Sequence, residues 1–325
     1  MDHYVNRLTT ELAQIPEIDD ARKLAIWTQQ HYTPEKPNDK DTNLCHVLIS
    51  EYELDEEYQQ KWFRYPILFY RDPQPTGLGK GVNAVSIVLS NVNVNENMMH
   101  CIINTIGSCT RSLFIESCTI SKKAIQLLAK FLSSDNCPIW FLRIWIEYEF
   151  APILTPIYRA WRHNKSLKGL ELPNYFADEE EVILSQKPNL IYLAMSGLQN
   201  PMVFFKNLRN DMSLKHLHLR NFLAIDIKII DYYFDFLREN NCLETYFLEI
   251  VPRDFNIELL TECLKVNRKL RQLNIELSYS RNKLSDETKA KLNNMAIELK
   301  KYNKVLSVIK INVVDDKEYK YNINA

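Results

Sequence analysis

The chain has 325 residues, 46 % of them hydrophobic and 25 % charged, which is ordinary globular composition and enough for one extended domain or two compact ones. With 40 Lys and Arg against 41 Asp and Glu, the net charge of -1 gives no global field towards nucleic acid or an anionic membrane, and leaves only local patches to do so. The seven cysteines are odd in number and contain no C-x-x-C pair, which argues against a disulfide framework and against zinc-finger spacing.

In chain order, "MDHYVNRLTTELAQI" carries charged and polar residues throughout and does not read as a secretory signal. No apolar run reaches the roughly 20 residues that span a bilayer, since "IWFLRIWIEYEF" is broken by Arg143 and Glu147. The expectation is a protein of a reducing cytoplasm with no membrane span. "VNRLTTELAQI" and "ARKLAIWTQQ" have helical spacing, and a further helix is predicted from Leu44 to about Phe63. Residues 1–80 therefore read as a helical N-terminal cap, with a small docking module as the alternative. "GLGKG" at 77–81 fails as a phosphate loop, because Gln74 stands where a Walker glycine is required and Gly81 where Ser or Thr is.

From residue 81 one frame recurs. "TRSLFIESCTI" from Thr110 fits L-x-x-L-x-L-x-x-C-x-L with one conservative lapse. Copies follow as "LKGLEL" from Leu167, "LIYLAM" from Leu190, "LKHLHL" from Leu214 and "LRQLNI" from Leu270. Looser ones are "VNAVSI" from Val82, "IWFLRI" from Ile139, "LETYFL" from Leu243 and "LSVIKI" from Leu306. Successive starts lie between 23 residues (Leu167 to Leu190) and 36 residues (Leu270 to Leu306) apart. Such a period signals a stacked repeat in which no unit buries its own apolar face.

Asparagine stands three residues before the first apolar position in five copies: Asn136, Asn164, Asn240, Asn267 and Asn303. Asn tolerates left-handed backbone, so each is expected to end a helix, with positive φ at Asn240 and Asn267. The preceding segments have helical faces: Ile125, Leu128, Ala129 and Leu132 in one, and Leu259, Leu260, Cys263 and Leu264 in another. "SDETKAKLNNMAIELKKYN" places acids in its first turn and lysines in its last, as a helix dipole favours.

Strand, turn, helix, turn in this register resembles the leucine-rich repeats of the ribonuclease-inhibitor type. The resemblance implies an α/β solenoid, a horseshoe with a parallel concave sheet and convex helices, of about nine units over residues 81–314, followed by a polar tail at 315–325. It also implies that Cys118, at the consensus Asn/Cys position, packs inside the turn.

The third, fifth and seventh residues of each copy then face the open concave side. Those expected to bind a partner are Phe114, Glu116, Phe141, Arg143, Trp145, Glu171, Tyr192, His216, His218, Arg220, Phe247 and Glu249, since aromatic and Arg residues enrich interface centres. Two neighbouring-strand ion pairs are also expected, Arg143 with Glu171 and Arg220 with Glu249. His216 and His218 share a face, yet a metal needs further ligands that the flanking copies do not offer. No G-x-S-x-G or H-E-x-x-H motif is present. The functional expectation is a non-catalytic solenoid with no cofactor and no nucleic acid, a monomer until it binds a protein partner, such as an enzyme whose active site it blocks. The irregular repeats resemble leucine-rich-repeat effectors that intracellular bacteria deliver into the host cytosol. Alternatives are a substrate-selecting adaptor whose cap docks onto a machine such as a ubiquitin ligase, and an enzyme with its chemistry in residues 1–80.

Overall fold

A computed structural model describes residues 44–50, 67–70, 83–146, 154–172, 190–196, 201–208, 213–222, 227–250, 256–277, 285–313 and 319–322. They belong to two compact units, one up to Leu172 and one from Leu190.

The first unit runs β1 (Leu44–Ser50), β2 (Ile67–Tyr70), β3 (Asn83–Ser90), β4 (Asn93–Val94), α1 (Glu96–Thr105), β5 (Ser112–Glu116), β6 (Thr119–Ile120), α2 (Lys122–Leu132), β7 (Phe141–Trp145), α3 (Thr155–His163) and β8 (Gly169–Glu171). Its main sheet has the order β2-β1-β3-β5-β7-β8, every pair parallel. The second unit runs β9 (Tyr192–Ser196), α4 (Pro201–Leu208), β10 (His216–Phe222), α5 (Ile227–Glu239), β11 (Thr245–Ile250), α6 (Ile257–Val266), β12 (Gln272–Leu277), α7 (Asp286–Tyr302), β13 (Val308–Val313) and β14 (Tyr319–Asn322). Its strands follow in chain order, parallel except for β14, which turns back antiparallel on β13.

Each predicted frame contains a strand of the parallel sheets, and the apolar fourth position forms the core. Ile87, Leu113, Leu142 and Leu170 are in register in the first unit, as are Leu193, Leu217, Tyr246, Leu273 and Ile309 in the second, and all are buried. Burying such a side chain contributes about 1.5–3 kcal/mol, and the repeat multiplies it. The backbone repeats as well. The N–H groups of Trp140 and Phe141 both donate to the Arg111 carbonyl, those of Lys168 and Gly169 to Trp140, and those of Arg271 and Gln272 to Glu244.

The helices start where side-chain acceptors permit it. Asn95, Ser121, Asn256 and Ser285 accept from the N–H groups of Met98, Ala124, Leu259 and Thr288. Helix α2 buries Ile125, Leu128, Ala129 and Leu132, and α6 buries Leu260, Cys263 and Leu264. Leu259 is only half-buried. Before α1 and α2 the chain turns through left-handed residues, Asn91 at φ 53° and Ser117 at φ 51°. Val92 and Cys118 then point inward and β4 pairs with β6. The Cys118 thiol donates to the Glu116 carbonyl at 3.2 Å, and burial pushes its pKa up to about 11, so it stays a thiol at neutral pH.

Four expectations need correction. Residues 44–50 form a strand, not a helix. "LCHVLIS" is a short apolar run whose spacing suits either, and burial of Val47, Leu48 and Ile49 together fits a strand between two parallel neighbours. The first frame starts at Ala84, because Ser86 is in register with Ser112 and Ile87 with Leu113; a two-residue slip keeps every side chain on its own face. The chain beyond 314 adds the strand β14. The cap asparagines are not left-handed: Asn164, Asn267 and Asn303 have φ of -69°, -65° and -108°, and Asn240 is not among the positive-φ residues.

What these asparagines contribute is the carboxamide. The Oδ1 of Asn267 accepts from the N–H groups of Lys269 and Leu270, while its Nδ2 donates to the Leu237 and Asn240 carbonyls. Asn303 repeats this with Val305, Leu306, Leu264 and Asn267. Asn164 accepts from Ser166 and Leu167 and donates to Leu132. Each one ties the end of the previous helix to the start of the next strand, satisfying groups that a helix terminus leaves open. Asn136 stays outside the pattern: α2 has already ended at Leu132, and Asn136 is exposed.

Candidate protein-binding face

Because side chains alternate along a strand, the residues between the core positions share the other face of each sheet. In the first unit the rows read Ser112–Phe141–Gly169, Val88–Phe114–Arg143–Glu171 and Ser90–Glu116–Trp145. Gly169 is required by this packing, since a Cβ there would lie 2.4 Å from Cδ2 of the Phe141 ring. The Phe141 ring in turn packs 5.8 Å from that of Phe114.

Arg143 is the electrostatic centre of this face. Its Nη2 lies 3.2 Å from Glu116 Oε1 and its Nε 3.8 Å from Glu171 Oε1. The guanidinium carbon sits 5.5 Å from the centre of the Trp145 ring. The contact with Glu171 is an ion pair too long for a hydrogen bond. Nε and Nη1 of Arg143, both Glu171 oxygens and the Ser112 hydroxyl are buried without hydrogen-bond partners.

In the second unit the rows read Tyr192–His216–Thr245–Gln272–Val308 and Ala194–His218–Phe247–Asn274–Lys310. The His218 ring stacks between neighbours, 5.1 Å from Tyr192 and 5.5 Å from Phe247. His216 is only 1 % exposed, and neither ring nitrogen has a hydrogen-bond partner; the Thr245 hydroxyl opposite it also has none. Burial, and then the Lys215 ammonium, push the His216 pKa down to about 3, so the ring is neutral across the physiological range. No cluster of three or more His, Cys, Asp or Glu suited to a metal occurs among the described residues.

The expected solvent exposure of this face needs correction. Phe114, Phe141, Arg143, Glu171, Tyr192, His216 and Phe247 are buried, and only Glu116, Trp145, His218 and Glu249 are half-buried. Adjacent strands stand about 4.8 Å apart, so large side chains in successive strands lie against one another. The Arg143–Glu171 pair forms as expected. The Arg220–Glu249 pair has no direct register, because β10 carries an extra residue between Leu219 and Phe222. The Arg220 side chain lies outside the described residues, as do residues 1–43, 51–66 and 71–82, which hold the 77–81 loop and most of the expected cap.

Sequence reasoning missed Ser112 and Gly169 as parts of these rows. Gly169 had a signal, being one of six glycines and placed inside a strand, where glycine marks close approach. No protein-family model matches the chain, and no curated protein matches it.

Proposed function

We propose that the chain is a non-catalytic interaction solenoid of leucine-rich repeats, related in design to the ribonuclease-inhibitor type, and that protein partners bind its sheet faces, at Trp145 in the first unit and at His218 in the second. The supporting observation is unspent hydrogen-bonding capacity. Arg143, Glu171, His216 and Thr245 are buried there without full partners, and an unsatisfied buried group costs about 1–3 kcal/mol. The half-buried Glu116 and Trp145 in the first unit, and His218 and Glu249 in the second, share these faces and are the groups that a partner meets first. Trp and Arg are also the side chains that dominate measured interface energies.

The test is site-specific photo-crosslinking of the full chain in cells, with the reactive group at Trp145, at His218 or at the exposed Lys122 of helix α2. A protein should be captured from Trp145 or from His218 and not from Lys122. With a partner captured from Trp145 purified, Trp145→Ala should raise Kd by about 30-fold, equivalent to about 2 kcal/mol, and leave the melting temperature nearly unchanged. A partner captured only from Lys122 would sink the reading and move the binding site to the helices.

A further inference from the structure

Among the described residues of this near-neutral chain, cations gather at one edge of the second unit. At the adjoining C-terminal ends of α6 and α7, Arg268, Lys269, Lys300, Lys301 and Lys304 are all exposed. None of the five lies within ion-pair distance of a carboxylate among the described residues. The neighbouring Lys265 is different, being held by Glu262 and Glu298 at 2.7 and 2.8 Å. The Arg268 guanidinium bridges the two loops, donating to the Lys265 and Tyr302 carbonyls, and Lys304 donates to the Lys300 carbonyl.

Helix-end stabilisation accounts for only a fraction of this charge. Two helix C-termini present about half a negative charge each, roughly one in total against five cations. Among the asparagine-capped helix ends of the second unit, the arrangement belongs to the last two. Val266 and Arg268 flank Asn267, and Tyr302 and Lys304 flank Asn303 in the same way, whereas Glu239 and Asn241 flank Asn240.

Apolar groups project among these cations. Val266, Ile297 and Tyr302 are 51 %, 57 % and 55 % exposed. Ile297 is three and four residues before Lys300 and Lys301, hence on the same face of α7. The Tyr302 ring lies beside the Lys265 ammonium, 5.4 Å away.

We propose that this edge docks the protein onto an anionic phospholipid surface. Cations without carboxylate partners match a layer of anionic headgroups, and each Lys or Arg near such a surface strengthens binding about fivefold. Protruding Val, Ile and Tyr side chains gain from the acyl boundary. A nucleic acid backbone or an acidic peptide offers the aliphatic groups nothing comparable. The site is separate from the sheet face and does not depend on what binds there.

The test uses the full chain and sedimentation with vesicles of phosphatidylcholine alone or with about one-third phosphatidylserine. The wild type should bind only the mixed vesicles, and added salt should weaken it. The combined change Lys269→Glu, Lys300→Glu and Lys301→Glu touches no side-chain hydrogen bond given above and should weaken binding at least about a hundredfold. Val266→Ser with Ile297→Ser should weaken it about tenfold or more while its salt dependence persists. If the charge-reversal protein melts early, the glutamine versions at the same three positions replace it. Equal binding to both vesicle types, an unaffected charge variant, or tighter binding to duplex DNA or polyglutamate than to the mixed vesicles would overturn the proposal.

Discussion

At the helix ends of the second unit Asn267 is 1 % exposed, and its carboxamide donates two hydrogen bonds and accepts two. On the sheet face of the same unit His216 is equally buried and makes none. The asparagines recur at one position of the repeat and close polar groups that the scaffold itself leaves open. His216 and Thr245 in the second unit, and Glu171 with two nitrogens of Arg143 in the first, are buried with hydrogen-bonding groups left open. The satisfied row belongs to the fold, because removing one member strands groups on two neighbouring repeats. The unsatisfied groups are a cost to folding, and so places to look for function.

The sharpest test of this contrast is Asn267→Ala. It strands two carbonyls and two N–H groups, and should cost about 3–5 kcal/mol in urea unfolding. Asn136→Ala, at an exposed position outside the row, should change stability by less than about 0.5 kcal/mol. Similar losses at the two sites would dissolve the distinction.

The next largest effect concerns His216 and pH. Its folded pKa of about 3 lies below the ordinary value of 6.5, so between these values the unfolded chain binds the proton and the native one does not. Stability attributable to this group is intact above about pH 6.5 and falls by about 1.4 kcal/mol per pH unit as pH drops towards 3. Comparing wild type with His216→Phe at pH 7 and pH 5.5 isolates that slope. Equal pH dependence in the two proteins would mean that His216 titrates freely.

The smallest expected effect is on the Arg143 pair. Arg143→Met combined with Glu171→Gln removes both charges together, and buried pairs replaced in this way are often nearly neutral. The double variant should lose less than about 1.5 kcal/mol and still bind its partner more weakly. Arg143→Met alone should cost more, because it leaves the buried Glu171 charge without its counterpart. A double variant as unstable as Asn267→Ala would make Arg143 and Glu171 scaffold residues like the asparagines.

Much of the fold was legible because the apolar spacing obeys a rule that neighbours in space reinforce. Leu113, Leu142, Leu170, Leu217 and Leu273 stand at one position of a recurring frame, and burial in register is the only use for such a column. Strand β1 was less legible, since seven apolar-rich residues satisfy helix and strand spacing equally. Asn164, Asn240, Asn267 and Asn303 were placed correctly at helix ends but given the wrong role, because backbone tolerance and carboxamide bonding leave the same mark in a sequence, while Asn136 was misplaced. On the candidate face, residue types and parity were readable while exposure was not. Whether Phe141 or Tyr192 is open depends on what lies against it, and Gly169 beneath Phe141 shows how specific that fit is.

The sequence by itself determined the strand-helix repeat, the leucine columns and the face on which Arg143 meets Glu171, because period and parity are properties of the chain. Only the tertiary structure decided that the asparagines bond across repeats, that His216 is buried and neutral, and that the cations of α6 and α7 adjoin. Each of these depends on groups distant in sequence meeting at hydrogen-bond or side-chain range, and a linear pattern carries no such distances.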